Sequence, residues 1–425
     1  MPLHIDLSPL RDLRNFRLLF VSGGITGLGS MMTYVAIPFQ MAQITDSFVA
    51  VGFIGLAELA PLIIFGLFGG SLSDRLDRRR MVVLTEIALL LTSVVLLVNA
   101  LSPTPSTAVL YLVAMTVAAL DGLQRPSLDA ILPRVVPHDR LSAASALKSG
   151  VRDSSALVGP AIAGLLIAAF GTASVYAVDV ATFALSIGLL VRLPPIPPSH
   201  DHDGASVVAH IGDGLRYARS RRDLLGTYAV DLVAMTFAFP YALFPFVVKE
   251  YNAPWALGLL YSAAAVGSLV FAATSGWTPR ARHHGRFIVF AAATWGAAVG
   301  LIAVAPTIGV VLALLVVAGY FDMLSGHFRG LMWNQTIPDE VRGRMAGLEL
   351  ISYAVGPTLG QARAGFAANR LGLAGAFASG GILCVAGVGI AAAALPALWR
   401  YDARTDPHFA AVKAEREHQA RGEAS

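Results

Sequence analysis

Twelve long apolar runs decide what this chain can fold into. A helix that crosses the hydrocarbon core of a bilayer needs about 20 apolar residues. Runs of that order fall at 17–41, 49–70, 81–101, 107–126, 142–169, 173–193, 224–248, 256–276, 287–305, 308–330, 344–369 and 372–396. They are too long and too unbroken to alternate as barrel strands. In lipid each backbone donor and acceptor must be satisfied within the segment, so the runs predict helices. Composition agrees: 56% of residues are hydrophobic and 14% are charged, against about 25% charged in a soluble domain. The 41 glycines and 23 prolines suit membrane helices, where small residues allow close packing and neighbours re-satisfy broken backbone bonds.

Charge orients the runs. One set of connections carries Arg75 to Arg80, then Arg134 and Arg140, Arg216 to Arg222, Arg280 to Arg286, and Arg342 with Arg344. The alternate connections at 43–48, 102–107, 171–174 and 305–307 contain no Lys or Arg, and only Lys249 and Arg370 break the pattern. Cytoplasmic loops collect basic residues. Both termini are therefore expected in the cytoplasm, and the chain in the inner membrane of a bacterial-type cell. The same distribution explains the net charge of +4 without nucleic acid as a partner. Residues 1–15 lack a cleavable signal pattern, so the first run is expected to remain as an anchor.

The chain reads as two six-helix halves, 1–193 and 223–398, joined by a cytoplasmic linker at 194–222 and followed by a cytoplasmic tail at 399–425. Leu193-Pro-Pro-Ile-Pro-Pro-Ser-His200 makes a stiff exit from the first half. Val207, Val208, Ile211 and Leu215 share one helical face ahead of a basic stretch, the pattern of an interfacial helix. A faint repeat relates the halves. Val136–Leu147 parallels Ile337–Leu348 at an offset of 201, which also pairs Asp121 with Asp322; Val158-Gly-Pro160 pairs with Val355-Gly-Pro357 at 197. Duplicated halves place a binding site between them, near the bilayer midplane.

Enzymatic chemistry is not visible. No phosphate-binding glycine loop followed by Lys and Ser or Thr occurs, and no Ser-His-Asp arrangement stands out. Cys384 is the single cysteine, so neither a disulfide nor a cysteine metal site is possible; it reads as a small buried apolar residue. His200, His202 and His210 near Asp201 and Asp203 fit no metal-ligand spacing and read as solvated linker. No cofactor or metal is expected.

Two polar or kinked stretches carry conformational chemistry. Gly70-Ser-Leu-Ser-Asp-Arg-Leu-Asp-Arg-Arg-Arg80 separates the second and third runs. It resembles the signature Gly-x-Leu-x-Asp-Arg-x-x-Arg-Arg between helices 2 and 3 of the major facilitator superfamily. The resemblance implies that Gly70, Asp74, Arg75, Arg78 and Arg79 form an ionic latch that holds the cytoplasmic side shut. Carboxylate–guanidinium bonds are charge-assisted and often bidentate, which suits a latch; a purely topogenic loop is the plainer alternative. The second half keeps the basic character at Gly276–Arg286 but has Arg280 where the first has Asp74. Gly159-Pro160, with Gly164, is similar to the Gly-Pro-x-x-Gly-Gly helix-5 motif of the superfamily's exporters, with Ala163 for the first of the final glycines. A mid-membrane proline kinks its helix, so these residues imply a gating helix, or else a packing kink. Arg14–Phe20, Pro126–Pro133, Arg134–Leu141 and Pro338–Arg344 narrow the resemblance to the branch that holds the enterobactin exporter and macrolide and multidrug efflux proteins.

Charges inside the runs are costly and so face a bundle interior or a cavity. They are Glu58, Asp121, Arg125, Arg152, Asp153, Asp179, Asp231, Asp322, Glu349 and Arg363. In the superfamily, helices 1, 4, 7 and 10 line the cavity and helices 2, 5, 8 and 11 border it. The resemblance thus implies Asp121, Arg125, Asp231 and Asp322, and then Glu58, Arg152, Asp153 and Glu349, as contacts for substrate or proton. Asp121 and Arg125 stand at i, i+4, within pairing reach. Structural ion pairing between helices is the rival reading. A carboxyl in a low-dielectric cavity that gains and loses a proton would couple transport to the proton gradient; Glu58 and Asp121, then Asp322, are the first candidates. Met31, Met32 and Tyr34 in the first run, and Phe237, Phe239, Tyr241, Phe244 and Phe246 in the seventh, suit planar or amphipathic ligands or plain core packing.

The expectation is an all-α membrane protein of twelve transmembrane helices with the major facilitator fold, monomeric and embedded in the lipid bilayer. It would export a small amphipathic compound, a siderophore of the enterobactin type or drugs, by proton antiport and alternating access. A solute importer of the same fold and a non-transporting receptor or scaffold are the alternatives.

Overall fold

The computed structural model describes residues 6–73, 76–197 and 216–420. Among these, each regular element is a helix. The spanning helices are α1 (Arg14–Thr45), α2 (Phe48–Ser73), α3 (Arg78–Leu101), α4 (Thr107–Val135), α5 (Leu141–Phe170) and α6 (Thr172–Leu190). Then come α7 (Arg222–Ala238), α8 (Leu257–Thr274), α9 (His284–Leu301) and α10 (Ile308–Thr336). Asp339–Ala394 is one helical stretch broken at Gly372, whose φ of 73° is a left-handed conformation that glycine adopts without penalty. It therefore supplies two spans, α11 (339–371) and α12 (373–394). Two short helices follow, α13 (Pro396–Arg400) and α14 (Pro407–Ala420).

Three boundaries differ from the hydropathy reading. The helices α4 and α10 continue to Val135 and Thr336, because backbone hydrogen bonding does not stop where apolarity does. The run at 224–248 is not one helix. It ends at Ala238, turns at Tyr241–Leu243 and resumes at Phe244–Glu250. Pro240 forces the residue before it into extended geometry, and Phe239 duly has φ −80° and ψ 112°. The predicted interfacial helix lies largely outside the described residues, as do His200, His202, His210, Asp74 and Arg75; residues 216–220 are helical.

The chain forms two compact units. One joins the described parts of Met1–Asp203 to Phe244–Ser262, and the other joins those of Gly204–Leu243 to Ala263–Ser425. In the first unit α3 shows how polarity is arranged. Leu84, Leu91 and Val98, seven residues apart, are each more than half exposed, while Val82, Leu89 and Leu96 on the opposite face are buried with Glu86 and Ser93. Apolar outside and polar inside is the pattern of a helix whose outer solvent is lipid. Asp179 of α6 then ties three helices together. It is buried and accepts hydrogen bonds from Thr33 of α1 at 2.8 Å and Ser93 of α3 at 2.7 Å.

The tail, which reads as merely polar in sequence, is packed in the second unit. Tyr401 and Val412 are buried, as is Leu398 just before the tail begins. Ala403 N–H donates to the Arg282 carbonyl at 3.0 Å, and Arg416 donates to the Asn334 carbonyl at 3.1 Å.

Candidate transport site

A cavity of about 480 Å³ opens among α1, α3, α4, α5 and α6 of the first unit. Its walls are largely apolar, with Phe16 and Phe20 from α1, Leu89 from α3, Leu128 and Leu132 from α4, and Phe183 from α6. Hydroxyls come from Ser22, Thr26 and Ser30 on α1 and Ser155 on α5. Glu86, Asp121 and Asp129 bring negative charge, and Lys148 and Arg152 bring positive charge. Cys384, the only cysteine, is buried in the second unit, with its thiol 3.6 Å from the Ala292 carbonyl.

Of the residues singled out in the sequence, Asp121 and Arg152 line the cavity. Arg125 acts electrostatically on Asp121 from one turn further along α4, and Glu58 of α2 feels the Asp121 charge. Arg152 and Asp153 are both exposed and face each other at 3.7 Å. Lys148 pairs with Asp129 at 2.9 Å. Met31 lines the cavity while Met32 is buried in the core. Glu86 belongs with these acids but escaped the sequence reading. Its signal was present, a lone acid six residues into the apolar run 81–101.

The second unit gathers Asp231 and Asp322 around a cation that the sequence reading also missed, while Glu349 acts electrostatically on Tyr228 and Tyr353. Arg329 of α10 forms an ion pair with the Asp231 carboxylate on α7 at 2.5 Å, with both side chains almost wholly buried. The other Asp231 oxygen accepts from the Ser352 hydroxyl of α11 at 3.0 Å. The guanidinium lies 6.0 Å from the Trp333 ring and 5.8 Å from that of Tyr353, a cation–π setting. Trp333 in turn stacks on Tyr228 at 5.1 Å. Asp322, two turns before Arg329 on α10, interacts with both Arg329 and Asp231. Arg363 acts on the backbone instead, donating to the Phe237 and Ala376 carbonyls. It thus satisfies a carbonyl left open where α7 breaks.

The gating motif is a close-packing surface within the first unit. A Cβ on Gly159 would fall 2.6 Å from Met31 of α1, and one on Gly258 would fall 2.2 Å from the Pro160 carbonyl oxygen. Gly164 meets the Gly258 backbone nitrogen in the same way, at 2.5 Å. Phe246 and Phe244 are buried there as packing residues, Phe246 against Phe48 at 4.2 Å and Phe244 against Tyr261 at 4.9 Å.

The loop that resembles the superfamily signature is described only in part. Gly70 falls in the helical span of α2. Arg78 is buried and its N–H donates to the Ile196 carbonyl at 3.0 Å, while Arg79 donates to the Val191 carbonyl. Asp77, not singled out in the sequence, caps α3. One of its oxygens accepts from Arg80 N–H and the other from Ile196 N–H, both at 2.9 Å. The basic run therefore grips the segment that leaves α6.

Known proteins agree with this geometry. Residues 5–423 match the family described as transmembrane secretion effector. The enterobactin exporter EntS of Shigella boydii is 27% identical over 391 residues, covering 90% of this chain and 92% of the relative. The enterobactin exporter EntS of Escherichia coli gives the same figures. Among solved structures, the nucleoside transporter NupG superposes with a TM-score of 0.74 at 11% identity, covering 91% of this chain and 100% of that one. A bacterial homologue of the human lysosomal transporter Spinster gives 0.70 at 14% identity, covering 90% and 95%. At such identities the superpositions establish the fold alone.

Proposed function

The chain belongs to the transmembrane secretion effector family of the major facilitator superfamily and is a transporter, and from that premise we propose that it exports a small amphipathic compound in exchange for protons. The compound is a siderophore of the enterobactin type or a drug-like molecule. The observation that carries this reading is the first-unit cavity, which joins aromatic walls to acids held inside a helical bundle. Aromatic walls suit an amphipathic cargo. Asp121 in that cavity, and Asp322 beside the Asp231–Arg329 pair, are the proposed proton carriers. Arg78 and Arg79, with Asp74 and Arg75, are the proposed cytoplasmic latch. The protein works as a monomer in the inner membrane with both termini in the cytoplasm, and the proton gradient is its only energy source.

Inverted membrane vesicles test the reading. They should accumulate the compound when their lumen is acid and stop when an ionophore collapses the gradient. Asp121→Asn and Asp322→Asn should each slow gradient-driven accumulation. Uptake by right-side-out vesicles, with none by inverted ones, would overturn export.

A further inference from the structure

Glu86 is a carboxyl that the cavity leaves without a counter-charge. It lines the cavity and is 5% exposed. Gln124 donates to its Oε1 at 3.3 Å, and its Oε2 has no hydrogen-bond partner among the described residues. The groups that face it from the helices packed around α3 are Asp121 and Gln124 on α4 and Asp179 and Ser186 on α6. None of these is a cation. From α1 the polar groups that the cavity receives are the hydroxyls of Ser22, Thr26 and Ser30, with no charged side chain. The bases in the lining are engaged elsewhere, Lys148 on Asp129 and Arg152 beside Asp153.

A buried carboxylate whose neighbours are acids and neutral groups, Gln124 and the Ser186 hydroxyl among them, with no cation, is costly. A ligand that brings its own N–H⁺ supplies the missing charge. The walls are apolar and aromatic, and ring faces attract cations. About 480 Å³ falls within the range of small-molecule sites. We propose that this cavity takes a protonated amine carried on an aromatic body, with Glu86 as its counter-ion and Gln124 holding the carboxyl in place. The inference rests on the export reading only for the direction of movement. Within that reading it selects lipophilic cations over catechol-bearing siderophores, which bring hydroxyls but no positive charge.

The test is equilibrium binding to the purified full chain in micelles. The probes are dansylcadaverine and its N-acetylated derivative, which shares the aromatic body but lacks the charge. The amine should bind, and the derivative should bind at least about thirtyfold more weakly, as expected when one member of a buried charge pair is lost. Glu86→Gln should bring the amine down to the level of the derivative, and Glu86→Asp should keep part of the difference. Equal binding of the two probes by the unaltered protein, or amine binding unchanged in Glu86→Gln, would overturn the assignment. Inverted vesicles separate this from the export reading. Binding through Glu86 without accumulation sinks export and leaves the site standing. Accumulation of enterobactin with no amine binding does the reverse.

Discussion

The Asp231–Arg329 pair sets a quantitative demand on the second unit. Its atoms lie 2.5 Å apart, and the two side chains are 3% and 4% exposed. Neither charge has water to fall back on. Removing one member of such a pair leaves the other uncompensated and costs about 3–5 kcal/mol. At about 1.4 kcal/mol per factor of ten, that is roughly two to four orders of magnitude in the folding equilibrium. Arg329→Leu should be the worse single change, because it strands Asp231 beside Asp322. Asp231→Leu strands one cation that still has two aromatic rings nearby. The double variant removes both charges and should recover most of the loss, since well-packed apolar replacements of buried pairs are often neutral. Ser352→Ala should cost about 1.5–3 kcal/mol, the range for a hydrogen bond to a charged group. Unfolding of the purified protein by titration with sodium dodecyl sulfate reads all four variants. Costs below about 1 kcal/mol for both single variants, or a double variant that costs their sum, would refute the pairing argument. Recovery of stability without recovery of gradient-driven transport would add a role in transport.

Other variants probe the first unit. Gly258→Val should lower the apparent melting temperature and slow transport, because even a Cβ would sit 2.2 Å from the Pro160 oxygen; a variant as stable and active as the parent would show that α5 is not closely held there. Asp77→Ala should lose the α3 cap, at a cost of about 1 kcal/mol, and should speed proteolysis between Leu193 and Pro197. Asp46→Asn should change stability by less than about 1 kcal/mol, since the Lys249–Asp46 pair is 67% exposed on both sides. A larger loss would mean that this contact does more than its exposure allows.

Much of this architecture was legible as hydropathy and charge. The twelve spans follow from run length, because lipid forces backbone bonds to close within each segment. The break in α7 was written in Pro240 but hidden by the unbroken apolarity of 224–248. The sites were harder to read. A charge inside an apolar run announces a buried polar role, and by that criterion Glu86 and Arg329 stood in plain view beside Glu58 and Asp231. What the sequence could not tell was which acids have partners. Asp179 accepts from hydroxyls of two other helices, and Asp231 meets a guanidinium 98 residues away. Such pairings depend on helix rotation, and no local spacing encodes that. The tail misled for a related reason. Tyr401 and Val412 are scattered among charges, so their burial shows no period.

The ties that leave the sixth and twelfth helices have a consequence for synthesis. In the first unit Ile196 closes on Arg78 and Asp77. In the second unit Leu398 fits against Gly285 so tightly that a Cβ there would fall 1.8 Å from its carbonyl oxygen, and Ala403 closes on Arg282. Leu398 is translated 202 residues after Ile196, which at about 5–20 residues per second is roughly 10–40 s. For that interval the nascent membrane protein holds a fastened first set of helices and a growing second set whose connecting ends are still loose. Quality-control proteases would meet the 276–286 segment unprotected during this window, long after Asp77 and Arg78 of the first unit have been tied to Ile196.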